Sequence, residues 1–319
     1  MKKQLSYLFI ATISVGLLFS SCKKDKTNNN TDEATQLKTQ SDDQARFSNE
    51  TDAVANDANA EVENLGGSFN GETPITLPLP YACDATRTVD TTSTTCTITV
   101  TYTGTACLGA LRTRSGKFII SFDRGFRWNT AGAKYKVTYQ DLKITRLSDN
   151  KSITINGEKT ITNVSGGRLR SLTPGSTNII VHTITSSGMS ITFDDGSVRS
   201  WQVARRRTFT NFIIGGSMNI SIEGIAPQGG GVAEWGTNRF GTPFSSAITQ
   251  PLVLKQFVGF GFRLVSGQIM HTRLLATSTT TFGLNASGSP VNDYRGGVLY
   301  YKLVYTGSGG NTFTFIAPY

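Results

Sequence analysis

Apolar and polar residues alternate with a period of two over most of the chain beyond residue 83. Ile98, Val100 and Tyr102 alternate with threonines, and the same spacing recurs in residues 117–122 and 135–139. Because successive side chains of a β-strand point to opposite faces, this alternation predicts strands with one buried face and one solvated face.

The strongest local signal is a β-hairpin. Asp194-Asp195-Gly196 separates the alternating runs 189–193 and 198–209, and an Asp-Gly pair between such runs is typical of a tight hairpin turn. The sequence therefore predicts an all-β domain, either an antiparallel β-sandwich or one long curled sheet. Further strands are predicted at residues 212–224, 248–256, 261–271, 275–283, 297–305 and 311–316.

The region before the strands has a different pattern. Residues 23–40 are polar and predict a flexible tether, whereas residues 41–64 predict one solvated helix with few apolar anchors, among them Phe47, Val54 and Val62. Prolines then punctuate a connector at residues 74–80.

The first 22 residues have the order of a bacterial lipoprotein signal. A basic start is followed by an apolar run at residues 5–19, two serines and Cys22. This predicts three segments: a signal peptide at 1–21, a lipidated Cys22 with acidic tether and helix at 22–80, and a β-rich domain at 81–319. The partner of the anchor would be a membrane, and the alternative is an ordinary signal peptide with a chance cysteine.

Charge is divided unevenly along the chain, whose net charge is +9. Residues 27–80 contain ten acidic and two basic residues, and residues 81–319 contain 24 basic and 11 acidic residues. A basic head attracts anionic surface polymers through its long-range field, although it does not indicate specific nucleic-acid binding. The alternative is that scattered Arg and Lys keep the strands soluble.

Three cysteines lie in the exported part. Cys83–Cys107 is the preferred disulfide, because Cys96 begins an alternating run and should be buried in a strand. Neither His182 nor His271 lies near these cysteines with the spacing of metal ligands, so we predict no metal site.

The sequence contains no motif for nucleophilic catalysis, and both histidines are flanked like strand residues. Glycoside hydrolysis usually needs two carboxylates facing one cleft, and Glu158, Glu223 and Glu234 are the best placed acids. Because nothing pairs these acids in the sequence, we predict no catalytic residue and no cofactor.

Aromatic and basic residues interleave in two places, around residues 122–128 and 235–244. Flat rings beside Arg suit sugar faces or anionic groups, so Trp128, Trp235 and Arg239 are candidate ligand-binding residues. The alternative is that these aromatics fold back onto the core.

Five segments stand out along the chain: Arg112–Ile120, Gly157–Asn163, Arg205–Phe209, Gly236–Gly241 and Val265–Gly267. In their consistent order they resemble β-rich Bacteroidota lipoproteins of unknown function. The resemblance implies an acidic N-terminal helix and assigns no activity.

The charged residues 23–26 after Cys22 also resemble surface-export signals of such lipoproteins, which points to the outer membrane and its outer face. A merely solvated charge run is the alternative. We therefore expect a lipid-anchored, non-enzymatic module for adhesion or for binding glycans or surface partners. The alternative function is a carbohydrate-active hydrolase or an accessory protein of polysaccharide uptake.

Overall fold

The computed structural model describes residues 28–64, 83–107, 110, 112–172, 177–213, 217–257, 261–274, 276–291 and 298–319. The predicted signal peptide, Cys22 and the connector at 74–80 lie outside these residues. Within the described ranges, no helix combines the length and the apolar sequence that a bilayer crossing requires.

One α-helix, α1 (Asn28–Asn64), precedes the strands, and a short 3-10 turn lies at Leu169–Ser171. The helix begins 13 residues before the predicted start at residue 41 and ends at the predicted residue, so the prediction of a flexible tether was wrong for residues 28–40. The strands are β1 (Ala85–Asp90), β2 (Thr95–Thr103), β3 (Arg112–Asp123), β4 (Ala133–Arg146), β5 (Ser152–Asn163), β6 (Ile180–Phe193), β7 (Val198–Ile213), β8 (Ser217–Gly224), β9 (Val232–Thr237), β10 (Pro243–Phe257), β11 (Gly261–Arg273), β12 (Ala276–Leu284), β13 (Tyr300–Thr306) and β14 (Thr312–Pro318).

All 14 strands belong to one antiparallel sheet, so the predicted all-β fold is confirmed in its long-sheet form. Strands that are consecutive in sequence are adjacent in the sheet, except that β8 and β9 both lie between β7 and β10. The C-terminal part of β7 pairs with β8, and its N-terminal part pairs with β9. On the other side of these two strands, β10 pairs with both. The strand β9, which carries Glu234 and Trp235, and the edge strand β1 were absent from the predicted strands.

A line of aligned β-bulges crosses the first half of the sheet. Register shifts occur at neighbouring places in β3, β4, β5 and β6, and Gly116, Asp141, Gly157 and Gly188 there adopt positive φ. The Asn156 side chain accepts a hydrogen bond from the Asp141 backbone N–H at 2.8 Å and donates one to its carboxylate at 3.1 Å, which holds this left-handed residue. Because each bulge bends its strand, the aligned bulges curl the sheet.

Glycine is required where neighbouring strands approach each other most closely at these bulges. A Cβ at Gly116 would lie 2.0 Å from the Asp141 carbonyl oxygen, and one at Gly157 would lie 2.5 Å from that of Gly188. A side chain at either position would collide with backbone, so the close approach of neighbouring strands depends on these two residues.

Helix α1 lies in the concave face that the curl creates. Its buried stripe follows the helical repeat through Phe47, Thr51, Val54, Ala58 and Val62, which are each at most 1% exposed. Phe47 packs on the ring of Trp201 in β7, with ring centroids 4.8 Å apart. The helix therefore supplies the inner layer of the core for the first half of the sheet.

The two flanks of the helix bind opposite parts of the sheet. On one flank, Glu61 pairs with Arg87 of β1 at 2.9 Å; on the other, Asp52 pairs with Arg207 of β7 at 2.8 Å. Six strand spacings separate β1 from β7, or about 29 Å in a flat sheet. A helix with its side chains is only about 10–12 Å across, so the sheet must wrap around it to make both contacts.

Among the described residues, ion pairs join seven sheet or turn arginines to six acids of the helix. The pairs are Arg87–Glu61, Arg112–Glu50, Arg114–Asp57, Arg146–Asp42, Arg205–Asp52, Arg207–Asp52 and Arg239–Asp43, at 2.7–3.7 Å. The prediction of a solvated helix was wrong. Most of the acidic residues around the few apolar anchors are paired with arginines of the sheet or its turns and are not left to water alone.

Replacing Phe47 by Ala should lower the free energy of unfolding by about 3–5 kcal/mol, because the change removes a fully buried ring and leaves a cavity beside Trp201. Urea unfolding followed by tryptophan fluorescence measures the change. The matched control is Phe240→Ala, since that ring is 43% exposed and its loss should cost under 1 kcal/mol. Equal effects of the two substitutions would contradict the buried position of the helix.

Candidate functional site

Of the three predicted ligand-binding residues, Trp128 lies in the core. Its side chain is 0% exposed and contacts the rings of Phe126, Tyr135 and His182, with centroids 4.9–6.0 Å apart. Because the side chain is buried, the prediction that Trp128 contacts a ligand was wrong. The alternative, an aromatic residue that folds back onto the core, describes Trp128 correctly.

The Arg239 guanidinium is occupied by the protein itself. It donates two hydrogen bonds of 2.7 Å to the Asp43 carboxylate and pairs with Asp194 at 2.9 Å. Its carbon atom also stands 4.6 Å from the centre of the Phe193 ring, and its side chain is only 10% exposed. Arg239 therefore joins the middle of the helix, at Asp43, to the hairpin turn after β6. These contacts favour a structural role over the predicted role in binding a ligand.

Trp235 is the candidate that reaches the surface. In β9 it points away from the helix, because its neighbour Glu234 points inward and is 0% exposed. Trp235 pairs directly with Gln202 of β7 and Ser245 of β10, and all three side chains are partly exposed. Gln202 is held in place by Ser186, whose hydroxyl donates to its amide oxygen at 2.9 Å. An indole with an amide on one side and a hydroxyl on the other therefore stands on the outer face.

The register extends this arrangement across the second half of the sheet. Directly paired residues on β9 to β14 form one continuous line on the outer face, which we name the Trp235 row. The Trp235 row consists of Trp235, Ser245, Thr272, Thr277, Thr306 and Thr312. Each of the six is partly or fully exposed. The row offers one flat ring and five hydroxyl groups, which both donate and accept hydrogen bonds.

The three acids considered for hydrolysis do not face a common cleft. Glu158 and Glu223 lie on the outer face and pair with Lys136 at 3.2 Å and Arg206 at 3.9 Å. Glu234 lies on the inner face, fully buried. Tertiary structure therefore separates the residues that the sequence grouped only by type.

The Glu234 carboxylate is saturated by donors from the helix and from β7. Gln44 and Ser48 of the helix donate to it at 3.1 Å and 2.6 Å, the Trp201 indole N–H donates at 3.1 Å, and Arg205 binds it as well. These contacts give Glu234 the role of joining the helix to β7 and β9.

Both histidines are buried in the sheet. His182 lies between the rings of Trp128 and Phe209, each with its centroid 4.9 Å away, and burial lowers its pKa to about 3. His271 shares a 2.8 Å hydrogen bond with Ser246, and burial lowers its pKa to about 4. Each ring is therefore neutral at physiological pH.

The cysteines lie in and beside the first two strands of the sheet. Cys83 and Cys107 form a disulfide with Cα atoms 5.7 Å apart, and Cys96 is buried in β2. Asp84, next to this bridge, accepts two hydrogen bonds of 2.9 Å from Arg114. Cys83, Asp84 and Cys107 are close together, but the bonded sulfurs and the paired carboxylate leave no thiolate for a metal.

Buried charges beneath the helix are a feature that sequence reasoning missed. Asp52 pairs with both Arg205 and Arg207 at 2.8 Å, and together with Glu234 it balances those two cations. Lys159 is a further cation beneath the helix and is 1% exposed. Burial lowers the pKa of Lys159 to about 7, because its charged form has lost its hydration.

No protein-family model matches the chain, and neither a curated protein nor a solved structure is significantly similar to it.

Asp57 provides a test of the helix–sheet contact through pH. Burial raises its pKa from 3.8 to about 6, although Arg114 opposes the shift. The folded chain thus binds this proton more tightly than the unfolded chain does. The bound proton stabilises the fold fully below about pH 4, and this stabilisation is lost as the pH rises through 6. Asp57→Asn should therefore gain stability relative to the parent by about 2–3 kcal/mol between pH 4 and pH 7.

The control for this measurement is Asp149→Asn. Hydrogen bonds from Arg146 lower the pKa of Asp149, so this carboxylate stabilises the fold above its unfolded pKa and loses that effect as the pH falls. The deficit of the Asp149 variant should shrink on acidification, which is the opposite trend. Urea titrations across the pH range measure both, and parallel curves for the Asp57 variant and the parent would show that Asp57 is not buried.

Proposed function

We propose that the protein is a lipid-anchored envelope lipoprotein whose β domain binds glycans or another surface partner through the outer face around Trp235. The observation that carries the proposal is the partly exposed indole of Trp235 between Gln202 and Ser245. Aromatic rings with polar neighbours are typical of binding surfaces, because they supply a large contact area and fixed hydrogen bonds.

The order of basic start, apolar run, serines and Cys22 supports the anchor. Acylation at Cys22 would hold the chain on a membrane, since each buried methylene contributes about 0.8 kcal/mol. The resemblance to Bacteroidota lipoproteins supports placement at the outer membrane, with the β domain exposed at the cell surface.

The arrangement of the helix fits this placement. The anchor would precede α1 by a few residues, and α1 is bound to the sheet along both flanks by the arginine pairs. A short distance along the chain would therefore separate the acyl chains from the β domain, so that the domain would stay close to the membrane surface.

Metabolic labelling tests the anchor. In a bacterial host that processes lipoproteins, an alkyne fatty acid should label the parent chain, and Cys22→Ala should abolish the label because the acylated sulfur is lost. Cys96→Ala is the control, since that cysteine is buried in β2 and should not affect labelling. A labelled Cys22 variant or an unlabelled parent would overturn the lipoprotein proposal.

A glycan array tests the binding site. Trp235→Ala should weaken binding of any glycan that the parent recognises by about tenfold or more, since loss of a central aromatic at such surfaces costs at least about 1.4 kcal/mol. Phe240→Ala removes another exposed aromatic, outside the Trp235 row, and should leave binding unchanged. Circular dichroism checks that both variants keep the β fold. Unchanged binding by the Trp235 variant would remove this site.

A further inference from the structure

The outer face around the Trp235 row has almost no charge. The Trp235 row contains no charged residue, and neither does the adjacent row of Ala247, Met270, Thr279, Val304 and Thr314. The third row, from Gln250 to Ile316, contains one charged residue, Lys302. This region is a broad polar surface built from hydroxyl, amide and small apolar groups.

The outer face of the first half is different. Lys117, Lys134, Lys136 and Lys143 point outward from β3 and β4, and Glu158 joins them from β5. The outer face is also charged where Arg206 pairs with Glu223 and where Lys255 lies opposite Arg263. The Trp235 row lies apart from these charges and presents hydroxyl groups.

The arginines beneath the helix cannot supply charge to that surface. They point to the opposite face of the sheet, and their pairs with the helix acids compensate them within about 3 Å. A polyanion approaching the Trp235 row would lose water from its carboxylates, sulfates or phosphates without gaining a cation. An uncharged ligand has no charged groups that would lose their hydration.

We infer that the Trp235 row is a binding site for an uncharged polysaccharide that lies across the strands. This inference rests on the proposed glycan-binding function and names its ligand class. The indole would stack on the apolar face of one sugar ring, and Ser245, Thr272 and Thr277 would exchange hydrogen bonds with the sugar hydroxyls that follow. The row spans five strand spacings, about 24 Å, so it matches an extended chain of several sugars better than a single sugar.

The test is affinity electrophoresis of the detergent-solubilised full-length protein in gels containing one polysaccharide each. Galactomannan, xyloglucan and mixed-linkage β-glucan are the uncharged probes, and alginate and heparin are the anionic probes. The parent should be retarded by at least one uncharged probe, equally at low salt and at 0.5 M NaCl, because screening does not weaken contacts between uncharged groups.

Two variants locate the site, and one controls for added charge. Trp235→Ala and Thr277→Lys should each weaken retardation at least tenfold, the first by removing the ring and the second by placing a long charged side chain in the middle of the row. Thr101→Lys makes the same change on the outer face of β2, far from the row in strand order, and should have no effect.

The outcomes separate this inference from the proposed function. Retardation by anionic probes alone, with loss in Trp235→Ala, would overturn the uncharged ligand and leave glycan binding around Trp235 in place. Retardation by an uncharged probe that survives both Trp235→Ala and Thr277→Lys would overturn the site. Retardation by none of these probes, together with no binding on the glycan array, would overturn both the inference and the proposed glycan-binding function.

Discussion

The structure depends on the neutralisation of an acidic helix by a basic sheet. A buried ion pair is expensive to form, because both groups lose their hydration, and it is stable only where the geometry and the remaining hydrogen bonds are satisfied. Here Arg205 binds Asp52 and Glu234 together, and Arg114 binds Asp84 through two nitrogen atoms. Removal of one member would leave its partner charged and buried, so the helix and the sheet constrain each other.

The curl of the sheet and the position of the helix are two aspects of one arrangement. The aligned bulges at Gly116, Asp141, Gly157 and Gly188 bend the strands and make the inner face concave. The helix then fills that concavity with Phe47 and its apolar neighbours. A flat sheet would leave the arginine pairs on one flank of the helix out of reach, and a concave sheet without the helix would expose its inner apolar residues.

This arrangement changes the meaning of the net charge. The basic excess of the β domain suggests an anionic partner when the sequence is considered alone, yet seven of its arginines face the acids of its own helix. The surface available to a ligand is therefore defined by what the outer face presents. On that face the Trp235 row and the row beside it are uncharged, and they present one indole ring and a line of hydroxyl groups.

The sequence alone determined the β class, the hairpin at Asp194-Asp195-Gly196 and the start of the strand that buries Cys96, because period-two alternation and turn chemistry are local. Alternation predicts that a strand has one buried face and one solvated face, but it does not indicate what covers each face. The burial of Trp128, the pairing of Arg239 with Asp43 and the exposure of Trp235 join residues up to nearly 200 positions apart, so only the tertiary structure decided them. The Trp235 row was likewise hidden, since each strand contributes one member and the register that aligns them exists only in the folded sheet.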